Sequence, residues 1–283
     1  MSKLAYQTVN RQRYRLAADQ SIEMSLSEDS VISEEPLKIV LHWICSTTGE
    51  NLEKTFMVTM RTPGDDSSLV IGLLNAYGII NSVKQITAIV CEELNQCDVS
   101  LDESVQLDWS ALTRQFISHS GCGICGTSNI KKLAQTFAMD IDETSEWLPL
   151  STIFTFSARL REHQTLFTAT GGVHSAGLFD TLNCITVKED VGRHNAVDKV
   201  IGETMVDGLL TAHNILMLSG RVSFELMQKA VAAKIPVVVA IGAPSSLAIA
   251  VAKQFNITLI GFVSNATCNV YHGDFRLIKS HSK

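Results

Sequence analysis

Apolar residues in this chain fall into short blocks, and their spacing changes about halfway along. Leu37–Cys45 and Lys54–Met60 read as strands joined by the turn-prone Thr47-Thr48-Gly49-Glu50-Asn51. The run Arg61-Thr62-Pro63-Gly64-Asp65-Asp66 breaks the pattern and supplies a helix start. Leu69, Leu73 and Leu74 then have helical spacing, closed near Gly78. Ser82–Glu93 and Ser104–Trp109 read as further strands. From about residue 150, Ile153, Phe156, Leu160 and Phe167 return to helical spacing. Apolar blocks then alternate with helical stretches: Cys184–Val187 before a helix from Arg193, Ile215–Leu218 before one from Val222, Val237–Ile241 before one from Pro244, and Ile257–Val263 last. Alternation of this kind, with near-continuous apolar strands, indicates a parallel sheet covered on both faces.

The expected organisation is a flexible leader over 1–33, a smaller α+β domain over 34–117, a mobile cysteine loop and helix over 118–145, and an α/β domain over 146–283. The 283 residues are 46% hydrophobic and 18% charged, which suits a sizeable core and excludes global disorder. The net charge of −6 argues against general nucleic-acid binding, so an anionic ligand needs a local group of cations and backbone N–H donors. No signal peptide or membrane-spanning run is visible, and seven scattered cysteines indicate a reducing compartment, hence a cytoplasmic location, with most of them serving as small buried hydrophobes.

Cys122 and Cys125 are the strongest chemical signal. Gly121, Gly123 and Gly126 leave both sulfurs accessible, and His119, Lys131 and Lys132 add positive potential nearby. A thiolate in such a setting can attack the outer sulfur of a persulfide, and the second cysteine can assist or release the sulfur as a disulfide forms. Three other readings stay open at this point, one of them that the pair is incidental, since a lone C-x-x-C is only moderately specific. The pair could be half of a zinc site completed by Cys91, Cys97 and His119, or a thioredoxin-like exchange motif, although the Gly-rich loop suits the latter poorly.

Four polar segments stand where strands end or helices begin: Thr170–Ala176, Glu189–Lys199, Ser219–Ser223 and Gly242–Ser246. At the carboxyl edge of a parallel sheet such segments form a ligand crevice, small residues admit a ligand to the backbone, and helix N-termini favour phosphate. Arg193 and Arg221 are placed for bidentate phosphate contacts. Ser223, Ser245 and Ser246 also suit helix caps. Asp198 and Lys199 read as a solvated face or a salt bridge, and His174 alone as a structural histidine. Phe262–Ala266 leaves the last strand at the same edge.

The run Glu189–Lys199, EDVGRHNAVDK, resembles the signature of the FdhD family of formate dehydrogenase accessory sulfurtransferases. Further segments resemble family motifs in the expected order, among them Met60–Asp66, Cys122–Gly126, Thr170–His174, Ser219–Glu225, Ala243–Leu247 and Gly261–Val263. The resemblance implies a cytidine-deaminase-like α/β domain with a mostly parallel sheet, and a smaller N-terminal domain. It implies that Cys122 carries a persulfide received from a cysteine desulfurase. The sulfur would pass to a molybdopterin guanine dinucleotide cofactor (Mo-bis-MGD or its tungsten analogue), bound as substrate and required by the client, formate dehydrogenase. The cofactor-binding residues it implies are Phe262, Val263, Ser264, Asn265, Ala266 and Thr267. Read together with the polar segments, the crevice adds Gly171, Gly172, His174, Arg193, His194, Ser219, Arg221, Ser245 and Ser246. No permanently bound metal is expected, and a homodimer is.

Two positions depart from the family pattern: Tyr77 where Glu is common, and Ser264 where Arg is common. The second removes a charge-assisted contact to a pyrophosphate. A zinc deaminase would need His-x-Glu and a later Pro-Cys-x-x-Cys; His174-Ser175-Ala176 lacks the Glu, and the one C-x-x-C precedes it. The remaining alternative is a cofactor-binding chaperone that ferries the cofactor without sulfur chemistry.

Overall fold

The computed structural model describes residues 5–45, 48–92, 95–107, 109, 112, 126–137 and 145–279. Cys122 and Cys125, and most of the 118–145 segment, lie outside the described residues.

The first finding corrects the leader. Strands β1 (Tyr6–Leu16) and β2 (Ile22–Ile32) form an antiparallel ribbon in continuous register, from Tyr6 opposite Ile32 to Leu16 opposite Ile22. The period-two pattern was present, but charged and hydroxyl residues interleave it, so it did not read as a strand. The ribbon is tied at its root, where Ser33 N–H donates to the Ala5 carbonyl at 2.8 Å.

The N-terminal unit holds β3 (Glu35–Ile44), β4 (Asn51–Arg61), helix α1 (Asp66–Ala76), β5 (Ile86–Glu92) and β6 (Gln96–Leu101). Its sheet runs β4-β3-β6-β5, with β3 parallel to β6 and the other pairs antiparallel. Leu69, Val70, Leu73 and Leu74 of α1 pack on Leu37, Ile39 and Leu41 of β3 in one core. Gly78 closes the helix with a φ of 70°, a conformation that only glycine adopts without strain. The strand expected over 104–109 does not form: Val105 N–H donates to the Asp102 carbonyl in a turn, and the strand is β6 instead. Cys97, Val99 and Leu101 are its buried face. Cys91 and Cys97 stand directly opposite on β5 and β6 and are joined as a disulfide, with Cα atoms 4.1 Å apart. The expectation of scattered thiols fails at this pair because the antiparallel register sets the two side chains face to face.

Helix α2 (Gly126–Thr136) leads into the C-terminal unit through Leu133, buried in its core. There follow β7 (Leu148–Pro149), α3 (Leu150–Ile153), α4 (Phe156–Glu162), α5 (Thr165–Thr170), β8 (His174–Phe179), β9 (Cys184–Asp190), α6 (Arg193–Val206), β10 (Ile215–Leu218), α7 (Phe224–Ala232), β11 (Val237–Ala240), α8 (Ser246–Gln254), β12 (Thr258–Gly261), β13 (Asn269–His272) and β14 (Leu277–Ile278). The main sheet runs β13-β12-β11-β10-β8-β9. It is mixed rather than mostly parallel: β10, β11 and β12 are parallel, whereas β8, β9 and β13 pair antiparallel. Strand–helix alternation holds only for the three central strands; β8 lay hidden in the segment read as a polar loop. Helices α6, α7 and α8 cover one face, and α4 with Leu148 and Leu277 covers the other. Among the described residues no helix is long and apolar enough to cross a membrane.

Two glycines weld the units together. A Cβ on Gly72 of α1 would stand 2.1 Å from the Asp198 carbonyl oxygen of α6, and one on Gly202 would stand 1.9 Å from that of Ser68. The two helices thus touch backbone to backbone. Gly202→Ala should force them apart and lower the unfolding free energy by about 3 kcal/mol or more. Urea denaturation checks this, and an unchanged midpoint would show that the crossing tolerates a methyl group.

Candidate functional site

The candidate site is built from Asp190, the last residue of β9. Its carboxylate is fully buried and accepts four hydrogen bonds: from Gly192 N–H at 2.8 Å, Asn195 Nδ2 at 3.1 Å, Thr62 N–H at 3.1 Å and Lys199 Nζ at 2.8 Å. Two of these donors fix the start of α6, and a third is backbone of the N-terminal unit. The junction is completed by Val191 N–H to Thr62 Oγ1 at 3.0 Å, Lys199 Nζ to the Thr62 carbonyl at 2.9 Å and Asn195 Nδ2 to the Met60 carbonyl at 2.7 Å. Most of the EDVGRHNAVDK run is therefore structural. Glu189 accepts from the N–H groups of Leu166 and Phe167 and so caps α5. Asp198 and Lys199 are not a solvated face: each is buried in an ion pair, Asp198 with Lys229 at 2.6 Å and Lys199 with Asp190. Burial pushes the Asp198 carboxyl up to about 6, against the pull of Lys229.

What remains of the run for a ligand is Arg193 and His194, in the first turn of α6. Ala176 pairs with Leu218 and His174 with Asp190, so the start of β8 lies beside the ends of β9 and β10. Beyond those ends the loops lie one on the next: Gly242 N–H donates to the Gly220 carbonyl at 3.2 Å and Phe262 N–H to the Gly242 carbonyl at 3.3 Å. Gly242 has no room for a side chain, since a Cβ would stand 2.6 Å from the backbone of Gly220. The same rim receives the N-termini of α6, α7 and α8, whose backbone dipoles favour an anion there.

The rim is cationic. His174 packs on Gly220, whose Cβ would lie 3.4 Å from the imidazole Nδ1. Burial holds the His174 ring below the usual imidazole range, and the neighbouring Arg193, His194 and Arg221 press in the same direction. His194 Nε2 lies 2.9 Å from Glu225 Oε2 and 3.3 Å from Ser223 Oγ. Arg193 Nε is buried and has no hydrogen-bond partner among the described residues. An unsatisfied guanidinium N–H in a cationic cluster is a place for an acceptor, and a phosphate oxygen is the acceptor that fits its charge.

The other expected residues divide. Ser219 is at the rim, but its hydroxyl is committed to the fold, accepting from Ser175 N–H at 2.9 Å. Ser245 caps α8 by accepting from Ala248 N–H at 3.1 Å, and Ser246 is the first residue of that helix. Arg221 and Phe262 are exposed at the rim, and Phe262 holds a φ of 53° that turns the chain out of β12. Val263 is buried. Ser264 closes a turn, its N–H donating to the Thr267 carbonyl at 2.9 Å and its hydroxyl accepting from Thr267 N–H at 3.0 Å. Asn265 accepts from Ser157 Oγ of α4, and Ala266 and Thr267 line a separate cavity of 460 Å³ with Leu150, Phe154 and Cys268. Gly171 and Gly172 are exposed at the root of the β1–β2 ribbon, 3.6 Å separating a Gly172 Cβ from Ile32.

Glu225 and Tyr77 were missed as members of the rim. Glu225 was visible as the acid in the first turn of α7. Tyr77 stands beside Asp198 and Glu225; burial first, then those two carboxylates, push its phenol up to about 12. A Glu at this position would add a third carboxylate to the group, whereas the neutral phenol adds none. A cavity of 780 Å³ lies elsewhere, lined by Asn75, Phe137, Met205, His213 and Arg276 among others, and touches none of the rim residues.

No group of three or more His, Cys, Asp and Glu suited to a metal ion exists among the described residues. His119 lies outside them, with Cys122 and Cys125, and the zinc reading loses Cys91 and Cys97 to their disulfide.

A sequence profile of the FdhD/NarQ family matches residues 32–278. The chain is 38% identical over 266 residues to the sulfur carrier protein FdhD of Streptomyces avermitilis, covering 90% of this chain and 91% of that one. It is 36% identical over 265 residues to the protein of the same name from Saccharolobus solfataricus, covering 93% and 96%. In fold it is similar to the crystal structure of a protein assigned as a formate dehydrogenase accessory protein from Desulfotalea psychrophila. That match has a TM-score of 0.72 and 22% identity, and covers 96% of this chain and 99% of that one.

The rim makes a pH-dependent prediction. Burial and the neighbouring cations favour the neutral His174 ring when no ligand is bound; an anion held among Arg193, His194 and Arg221 offsets those cations and raises its pKa. Anion affinity should therefore rise as pH falls through that window, and sulfate should move the NMR titration midpoint of the His174 ring upward. A midpoint indifferent to sulfate would remove the anion from this rim.

Proposed function

This chain belongs to the FdhD/NarQ family, and from that premise we propose that it is a sulfur carrier, a sulfurtransferase acting in formate dehydrogenase maturation. In this reading Cys122 takes sulfur from a cysteine desulfurase and delivers it to a molybdenum or tungsten guanine dinucleotide cofactor bound as substrate. The Cys122 thiolate attacks the outer sulfur of the donor persulfide; a Cys122–sulfur bond forms, the donor S–S bond breaks, and the donor leaves as a thiol. In release, the Cys125 thiol attacks Cys122; a disulfide forms, and the carried sulfur departs as hydrosulfide toward the metal.

The observation that carries the substrate end is the buried, unpartnered Nε of Arg193 within a cationic rim. The guanylate pyrophosphate of the cofactor supplies the acceptor oxygen that Arg193 Nε lacks, and Arg221, exposed at the same rim, adds a second guanidinium. The α6, α7 and α8 N-termini add partial positive charge from the backbone. His174 can take up a proton as the anion arrives. The sulfur end rests on the Cys122–Cys125 pair and on relatives named as sulfur carriers.

Incubation with a cysteine desulfurase and cysteine should add about 32 Da, one sulfur atom, at Cys122 by intact-mass and peptide analysis. Cys122→Ser should abolish activation of formate dehydrogenase while GDP still binds. If that variant still activates the enzyme, the protein is a cofactor chaperone without sulfur chemistry. Arg193→Ala or Arg221→Ala should weaken GDP binding about tenfold, the worth of one charge-assisted contact; calorimetry on both variants checks this, and unchanged affinity in both would move the pocket off the rim.

A further inference from the structure

The Cys91–Cys97 disulfide has no part in the sulfur-carrier mechanism, and its position ties it to the junction of the two units. The bridged residues lie next to the tip of the β5–β6 hairpin, between the pairs Val90 opposite Asp98 and Glu92 opposite Gln96. The two sulfurs are unequal. Cys97 is fully buried in the N-terminal core. Cys91 is half-buried on β5, an edge strand that among the described residues pairs with β6 alone. Its Sγ lies 3.5 Å from Ser67 Oγ, in the exposed first turn of α1. One sulfur is thus open to an external thiol, and the other is shielded.

The tip beside the bridge is in use. Asn95 holds a φ of 61°; its carbonyl accepts from Lys38 N–H at 2.8 Å and its Oδ1 from Arg61 Nη2 at 3.0 Å. Arg61 is buried and forks onto Asp66 through two bonds of 2.8 Å. The next residue is Thr62, whose N–H, hydroxyl and carbonyl engage Asp190, Val191 and Lys199 of the C-terminal unit. A short run of contacts therefore leads from the disulfide through Asn95, Arg61 and Thr62 to the Asp190 anchor.

We propose that Cys91 and Cys97 are a redox modification site, a reversible disulfide that, when closed, fixes the Asn95 tip on Arg61 and so tightens the junction that carries the rim. A dithiol reductant opens it. The reductant's thiolate attacks Cys91 Sγ, a mixed disulfide forms there, the Cys91–Cys97 bond breaks, and Cys97 leaves and takes up a proton. The second thiolate of the reductant attacks the reductant's own sulfur in the mixed disulfide; the reductant departs as a disulfide and Cys91 as a thiol. Two electrons and two protons pass to the pair. The flanking cross-strand pairs keep the two thiols face to face, so an incoming disulfide closes them again without refolding. A staple works best across a long loop, whereas this bridge spans a sequence separation of 6, so its effect is local to the tip. In one respect the inference rests on the sulfur-carrier reading: a Cys122 thiolate needs thiol-rich surroundings, and a disulfide there is a switch.

The test uses the full chain carrying Cys122→Ser and Cys125→Ser, so that no sulfur transfer contributes. Alkylation under denaturing conditions, followed by mass analysis, should find Cys91 and Cys97 blocked after oxidised glutathione and both modified after dithiothreitol. Reduction should speed amide exchange at Lys38 about tenfold and at Thr62 about threefold, as expected for freeing a short tip and loosening what it holds. Val239, in the central strand β11, should exchange at the same rate in both states. A pair that stays reduced in oxidised glutathione, or a Thr62 amide indifferent to dithiothreitol, overturns the proposal. Equal acceleration at all three amides also overturns it, because the bridge is then a global staple. The mass of Cys122 in the unsubstituted chain reports the sulfur-carrier reading separately.

Discussion

The buried carboxylate of Asp190 is the constraint on which the functional rim depends. It accepts from four donors in a place without solvent, so its charge is fully coordinated. One donor is Gly192, at the start of α6, and another is Thr62, in the N-terminal unit. The same group therefore sets the angle at which α6 begins and the position of the other unit against it. Arg193 and His194 follow within one helical turn, and their placement is inherited from this anchor. An alternative docking of the two units would leave a buried carboxylate short of donors, at a cost of several kcal/mol.

Around this anchor the interior is unusually ionic for a helix crossing. Gly72 and Gly202 let α1 and α6 meet backbone to backbone, and Asp198, on the contacting stretch of α6, is paired with Lys229 of α7. Tyr77 lies next to Asp198 and also next to Glu225, which holds His194. Electrostatic coupling thus runs from the crossing through Tyr77 to Glu225 at the rim. Pairs of this kind add little net stability, but each is expensive to break singly, so they select one arrangement of α1, α6 and α7. A preorganised anion site needs that selection, because cations held apart by their own repulsion must be fixed before the ligand arrives.

Much of the candidate site was legible in the sequence, but for a different reason than its density of charge suggested. The four polar segments do meet at one sheet edge, and Arg193 and Arg221 are both at that edge. The signature run was read as a ligand loop, whereas Glu189, Asp190 and Asn195 are buried and hold the fold, and Asp198 and Lys199 form salt bridges, one of the two readings open for them. A single sequence does not distinguish a charge that faces a ligand from one that faces another buried charge, because the partners stand in separate elements. The central strands were legible because their apolar runs are continuous. Strands β6 and β8 were not: Cys97, Val99 and Leu101 alternate with polar residues, and β8 opens on His174 and Ser175 amid glycines. The ribbon was lost for the same reason, its alternation diluted by arginine and serine.

The two departures from the family pattern have physical readings that bear on where an anion is held. At 264 an arginine would extend over the rim from the turn after β12. Serine instead folds back, its hydroxyl accepting from Ala266 and Thr267 N–H groups, so it stabilises the turn and contributes no charge. At 77 a carboxylate would sit near Asp198 and Glu225 and make the interior behind the rim more negative; tyrosine leaves it less so. The positive charge of the rim then rests on Arg193 and Arg221, and less negative charge stands behind them to offset it. The field at the rim depends on the sum of charges around it, so a neutral residue at 77 offsets part of what a neutral residue at 264 withholds.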